Sequence, residues 1–214
     1  HPFNIPSGSM VPTLLVGDYL FVSKFSYGYS RFSFPVTLPF MEGRVWGAEP
    51  ERGDIAVFRL PRDPETDYIK RVIGLPGDRI QVRRGVLHIN REPVSRERVD
   101  DYVGENAFGQ RVPVRQFRET LPNGVTYMTL DLTDNSEMDT TDVYEVPQGH
   151  YFMMGDNRDN STDSRFLQLV GFVPAENLIG RAEIVFFSVD EGSSAWAIWE
   201  WPWSLRFDRF FDRL

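Results

Sequence analysis

Short runs of Val, Ile, Phe and Leu, punctuated by clusters of Gly, Pro, Asn and Asp, set the rhythm of this chain. That pattern predicts short strands joined by turns rather than long helices. Residues 18–25 read as a strand after a turn at Gly17, and residues 55–59 as a second. The Arg52-Gly53-Asp54 turn ahead of the second is ordinary turn chemistry before an apolar run. Residues 67–74 read as a third strand, and period-two alternation puts Tyr68, Lys70 and Val72 on one face. Ile69, Arg71 and Ile73 then share the other. Residues 79–82 and 86–90 predict a hairpin around Arg83-Arg84-Gly85, and residues 120–130 a second turning at Asn123-Gly124. The apolar run 150–154 and the pieces 171–174, 178–180 and 182–189 complete the predicted strands.

Two stretches break the rhythm. Residues 27–50 are rich in aromatics and turn formers without a period, so a long hairpin or exposed loop is expected there. Phe32, Phe34, Leu38, Phe40, Met41 and Trp46 suit either core packing or contact with a membrane or partner. In the tail, Trp196, Trp199, Trp203, Phe207, Phe210, Phe211 and Leu214 recur at helical spacing, interrupted by Pro202. An amphipathic C-terminal helix is therefore predicted, docked on the core or lying in a membrane interface. The organisation expected is a discontinuous β core (1–26, 49–77 and 150–190) with an excursion at 27–48. A smaller β subdomain is inserted at 78–149, and 191–214 form the aromatic tail.

At 214 residues there is room for one sizeable domain or two small ones. The formal net charge of −8 argues against nucleic acid as a partner, because phosphate binding needs a basic surface. Cysteine is absent, which removes disulfides, thiolate catalysis and cysteine metal sites together. No His/Cys cluster has zinc-type spacing, and neither a metal nor a cofactor is expected. No run approaches the roughly 18 apolar residues that cross a bilayer. The chain opens on His1-Pro2-Phe3 almost on top of its first candidate site, so a membrane anchor ahead of residue 1 is expected.

That site is Asn4-Ile5-Pro6-Ser7-Gly8-Ser9-Met10-Val11-Pro12-Thr13-Leu14. Ser9 stands where a helix N-cap would fall, before an apolar run over 10–15, so it is either a cap or a hydroxyl beside free backbone donors. Lys70 is a second candidate. If its face is buried, desolvation lowers its pKa and leaves an amine able to take a proton; if not, it is an edge-strand lysine. The third is the dense polar loop 155–165, Gly-Asp-Asn-Arg-Asp-Asn-Ser-Thr-Asp-Ser-Arg. It lacks the glycine and terminal glutamate of an EF-hand, and Asn160-Ser161-Thr162 is a glycosylation-type triplet. Ties among its own Asp and Arg residues fit any of its roles. A Ser-His-Asp triad has little support, since His88 and His150 lie in no candidate motif and no Gly-x-Ser-x-Gly elbow exists.

In order along the chain, residues 7–13, 52–58, 68–78 and 155–165 resemble the conserved boxes of bacterial type I signal peptidases. These are membrane-anchored Ser/Lys enzymes that cleave leader sequences from exported proteins. The resemblance implies Ser9 as nucleophile and Lys70 as general base. It implies Ser7 and the Ser9 N–H as an oxyanion hole and Ser161 as the residue that orients the lysine. Asp156, Asp163, Arg165 and Arg71 match its supporting polar network. It further implies a mostly antiparallel β catalytic core interrupted by a smaller β domain, and a location at the inner membrane with the catalytic region on the periplasmic face. The expected partners are signal peptides with small residues at the first and third positions before the cut, and a lipid surface. Ile5, Met10 and Leu14 are the candidate lining of the substrate pockets. The chain departs from the pattern at 166–170, in lacking a cysteine pair in the insert, and in its long aromatic tail. A catalytically silent binding module on the same scaffold is the alternative reading.

Overall fold

The computed structural model describes residues 2–24, 26–28, 48–105, 110–189 and 205–214. The excursion's apolar side chains from Phe32 to Trp46 and the four tail tryptophans therefore lie outside the described residues. In chain order the strands begin with β1 (Pro2–Asn4), β2 (Asp18–Ser23), β3 (Ile55–Leu60) and β4 (Asp63–Gly74). They continue with β5 (Arg79–Arg83), β6 (Val86–Ile89), β7 (Glu92–Pro93), β8 (Ser95–Arg98), β9 (Tyr102–Glu105), β10 (Arg111–Thr120) and β11 (Thr126–Asp131). The last are β12 (Tyr144–Glu145), β13 (His150–Met154), β14 (Val173–Pro174), β15 (Leu178–Ser188) and β16 (Asp212–Arg213).

The largest sheet has the order β1-β2-β15-β3-β4-β13-β14, with β16 added to β15. Every pairing between these strands is antiparallel, as the alternating short runs lead one to expect. On β3, Ile55 and Val57 pack into one apolar cluster and Ala56 and Phe58 into another, on opposite faces. Both faces of the central strands are covered, which is why Ile-Ala-Val-Phe reads as a continuous apolar run rather than an alternation. Residues 79–145 supply two four-stranded sheets, β12-β5-β6-β7 and one built on β11-β10-β8 with β9. Ile80, Leu87, Leu121 and Tyr127 from these sheets share a core with Ile73, Phe152 and Met154 of the largest sheet. The apolar interior thus runs without a break between them.

Local details differ from the sequence reading. The β4 strand begins at Asp63, four residues early, because pairing with β3 carries its polar, exposed end into the ladder. The pieces 178–180 and 182–189 are one strand, β15; Gly180 permits this, since a Cβ there would sit 2.6 Å from the Ser23 carbonyl oxygen of β2. The β10–β11 hairpin closes through Pro122, Asn123 and Gly124, not a two-residue turn: Leu121 N–H bonds Val125 O, and Gly124 takes φ +89°. The run 10–15 is not a helix, and Ser9 is not its cap; Gly8–Met10 is a single 3₁₀ turn with Ser7 at the N-cap position. In the tail, the described residues form a 3₁₀ turn (Phe207–Arg209) and β16 instead of an amphipathic helix. Pairing with β15 and buried ion pairs outweigh the helical spacing of the aromatics there. Among the described residues no helix is long and apolar enough to cross a membrane.

Candidate active site

The 3₁₀ turn Gly8–Met10 sits on a packed floor. Ile5, Met10 and Leu14 are at most 1% exposed and share a cluster with Leu20, Ile55, Val57 and Ile69. These three residues are core beneath Ser9, with no free surface, rather than the open pocket lining expected of them. Burying them fixes the turn above, and Ser9 itself stays close to the surface at 7% exposure. In the first turn of a helical segment the Ser9 N–H has no intrahelical acceptor. The exposed Ser7 presents its hydroxyl 3.4 Å from Ser9 Oγ.

The β4 strand brings Lys70 to this turn. Lys70 Nζ donates to Ser9 Oγ at 2.7 Å and to the carbonyl of its own neighbour Ile69 at 2.9 Å. The ammonium position lies 5.1 Å from the Tyr68 ring, so the two share a face as strand alternation requires. Lys70 is 3% exposed. Burial pulls its pKa from 10.5 down to about 8, and the carboxylates of Asp163 and Asp156 oppose that pull without cancelling it. An amine in this state is partly neutral near pH 8 and stands within hydrogen-bond reach of a hydroxyl proton.

The loop 155–165 packs against both residues. Asn157 staples the Ser9 turn: its backbone N–H donates to Ser9 O and its Nδ2 to Gly8 O, both at 3.1 Å. Asp156 takes a bidentate pair from Arg71 (2.9 and 2.7 Å) and a hydrogen bond from Thr13 Oγ1 at 2.5 Å. The buried Arg71 pays a desolvation penalty, but Asp156 outweighs it and holds the guanidinium pKa above its usual value. Asp163 is fully buried, and burial alone would raise its pKa. The Arg165 guanidinium and the Gly155 N–H more than offset this and keep the carboxyl below its usual range.

Ser161 is placed differently from expectation. Its Oγ is buried and contributes to keeping Asp163 ionised, yet it makes no hydrogen bond of acceptable geometry, to Lys70 or to any other group. It is wedged against Gly155, where a Cβ would fall 2.2 Å from Ser161 Oγ and 2.6 Å from Ser9 O. The structure thus brings Ser7, Ser9 and Lys70 into one cluster, with Arg71, Asp156, Asp163 and Arg165 as its frame, and leaves Ser161 adjacent but unbonded. Sequence reasoning passed over Asn157, Thr13 and Gly155, although each lay inside a quoted motif. Their type was the only clue: an Asn beside the loop glycine, able to bond backbone on two sides.

The first class these features define is a β-rich serine hydrolase in which a buried amine contacts the serine. The family model described as signal peptidase, peptidase S26, matches residues 1–187. Signal peptidase I of Rickettsia typhi is 44% identical over 230 aligned positions, spanning all of this chain and 85% of its own length. The proteins of that name from Rickettsia conorii and Rickettsia prowazekii are also 44% identical and are covered to 84% and 85%. A crystal structure of a signal peptidase I from Enterococcus faecalis superposes with a TM-score of 0.37 at 28% identity, covering 63% of this chain and 97% of that one. The chain belongs to the S26 signal peptidase family. It is a serine endopeptidase, a hydrolase that removes signal peptides.

Proposed function

We propose that Ser9 is the nucleophile and Lys70 its general base, and that the chain cleaves exported preproteins after small residues of the Ala-x-Ala type. The observation that carries this reading is the 2.7 Å contact between Lys70 Nζ and Ser9 Oγ in a buried setting that lowers the lysine pKa to about 8. Neutral Lys70 takes the Ser9 proton as Oγ attacks the scissile carbonyl carbon. The Ser9 N–H and the Ser7 hydroxyl, 3.4 Å from Ser9 Oγ, would donate to the resulting oxyanion. The carbon–nitrogen bond then breaks, and the lysine ammonium returns its proton to the leaving amine. Lys70 next takes a proton from water, whose oxygen attacks the acyl carbon and frees Ser9. The unbonded Ser161 hydroxyl is available as an acceptor when the lysine is charged. Working on exported proteins, the catalytic region would face outward at the bacterial inner membrane, with signal peptides and a lipid surface as its partners and without a metal or cofactor.

The test is cleavage of a peptide bearing an Ala-x-Ala site by the protein, Ser9→Ala and Lys70→Met across pH. Expected is a cut after the second alanine, lost in both variants, with kcat/KM rising with pH around a midpoint near 8. Undiminished cleavage by either variant overturns the assignment. A protein that binds the peptide without cutting it supports the silent binding module instead.

A further inference from the structure

The loop 155–165 is held from a second side, by residues far from the site in sequence. Glu119 on β10 is 1% exposed, an expensive location for a carboxylate. It accepts two hydrogen bonds from Arg158 (3.0 and 2.6 Å) and one from the Tyr127 hydroxyl on β11 at 3.0 Å. Arg158 also donates to that hydroxyl at 3.1 Å, and the Tyr127 ring lies 4.2 Å from the Arg71 guanidinium carbon. The next ties are backbone ones. Leu130 N–H bonds Asp156 O at 2.9 Å, and Asp159 Oδ2 accepts from Leu132 and Thr133 N–H at 2.7 and 3.0 Å. Asp156, Arg158 and Asp159 are therefore all bound to β11 and its continuation or to β10. Asn157, between them, is the residue bound to Gly8 and Ser9.

We infer that Glu119 is a positioning residue for the peptidase reaction: the β10–β11 hairpin grips Asp156, Arg158 and Asp159 and so sets the height of Asn157 under the Ser9 turn. This rests on the reading of Ser9 as nucleophile. A buried ion pair contributes little net stability over an apolar pair of the same volume, so its directional geometry is the property an apolar pair lacks. Without Glu119, Arg158 keeps only its bonds to the Tyr127 hydroxyl and to Arg165, and the segment carrying Asn157 loses its tie to β10. A displacement of about 1 Å at a nucleophile is enough to lower a rate about 100-fold.

The experiment compares Glu119→Gln, the double variant Glu119→Leu/Arg158→Met, and Leu87→Ala with the unaltered chain. Leu87 is a fully buried residue of the shared core on β6, which supplies no hydrogen bond to the network or the site, and it serves as a control for lost stability. Glu119→Gln is expected to lower kcat about 10- to 100-fold with KM within about twofold. The double variant, which leaves the Tyr127 hydroxyl without these partners, should regain part of the melting temperature but not kcat, and it carries the test if Glu119→Gln fails to fold. Leu87→Ala should lower the melting temperature and leave kcat, measured well below it, within about twofold. Recovery of kcat in the double variant, or an equal loss in Leu87→Ala, reduces Glu119 to a structural role and overturns the proposal. Ser9→Ala run in parallel separates the two readings. Residual cleavage there refutes the nucleophile itself, whereas an inactive Ser9→Ala beside a fully active Glu119→Gln refutes only the positioning.

Discussion

Gly155 is where the site tolerates least change. A methyl at its Cα would overlap Ser161 Oγ and the Ser9 carbonyl oxygen, and both belong to segments pinned by hydrogen bonds. Neither neighbour can give way cheaply, because Asn157 holds Ser9 O and the loop is tied to Arg71 and Arg165. Gly155→Ala is expected to lower kcat at least about 100-fold, through displacement of the Ser9 turn. A peptide assay with circular dichroism for folding checks this, and near-normal kcat in a folded variant would count against the tight packing described.

Among the elements, the C-terminal turn has an unexpected importance. Asp18, fully buried at the start of β2, accepts from Leu15 N–H at 2.8 Å and Ser188 Oγ at 2.7 Å. Its charge is met by Arg209 at 2.6 Å, and Arg209 also donates to Thr13 O at 3.0 Å. Arg206 adds a bond to Val16 O at 2.6 Å. The tail thus clamps the segment that follows the Ser9 turn. Asp18→Asn leaves Arg209 without a counter-charge and should cost about 3 kcal/mol, as breaking a buried pair does. For a chain of this size that corresponds to a fall of about 6 to 12 °C in Tm. Thermal unfolding of Asp18→Asn measures it directly, and a shift under about 2 °C would show that the clamp is dispensable.

At the scale of the whole molecule, the buried lysine sets the pH dependence of stability. Its pKa in the folded state, about 8, is below the 10.5 of an unperturbed lysine. Between these values the unfolded chain binds the proton and the folded chain does not, so stability rises with pH across that window. Below about pH 8 both states are protonated and the full penalty is present, roughly 3 kcal/mol. Lys70→Met should therefore be more stable than the unaltered chain by about that amount at pH 7, with the gap closing toward pH 10.5. Denaturant unfolding at both pH values checks it. A constant gap would mean that Lys70 does not titrate in this window.

Much was legible along the chain because it depends on near neighbours. Strand alternation placed Lys70 with Tyr68, apolar runs marked β3 and β13, and turn residues located the β5–β6 hairpin. Residue type made Ser9 and Lys70 candidates but left each an ordinary alternative, a cap and an edge-strand lysine; the order of four motifs along the chain favoured the catalytic reading. What depends on distance through space was decided by the tertiary structure. Glu119 and Arg158 lie 39 residues apart, and no local pattern signals that a carboxylate in a polar strand will be buried against a guanidinium. The tail's aromatic spacing favours a helix, yet pairing with β15 and the buried charge of Asp18 imposed a turn and a strand. Short-range periodicity determined which elements form. Long-range packing, by desolvating Lys70 and closing Gly155 onto Ser161, determined what their side chains can do.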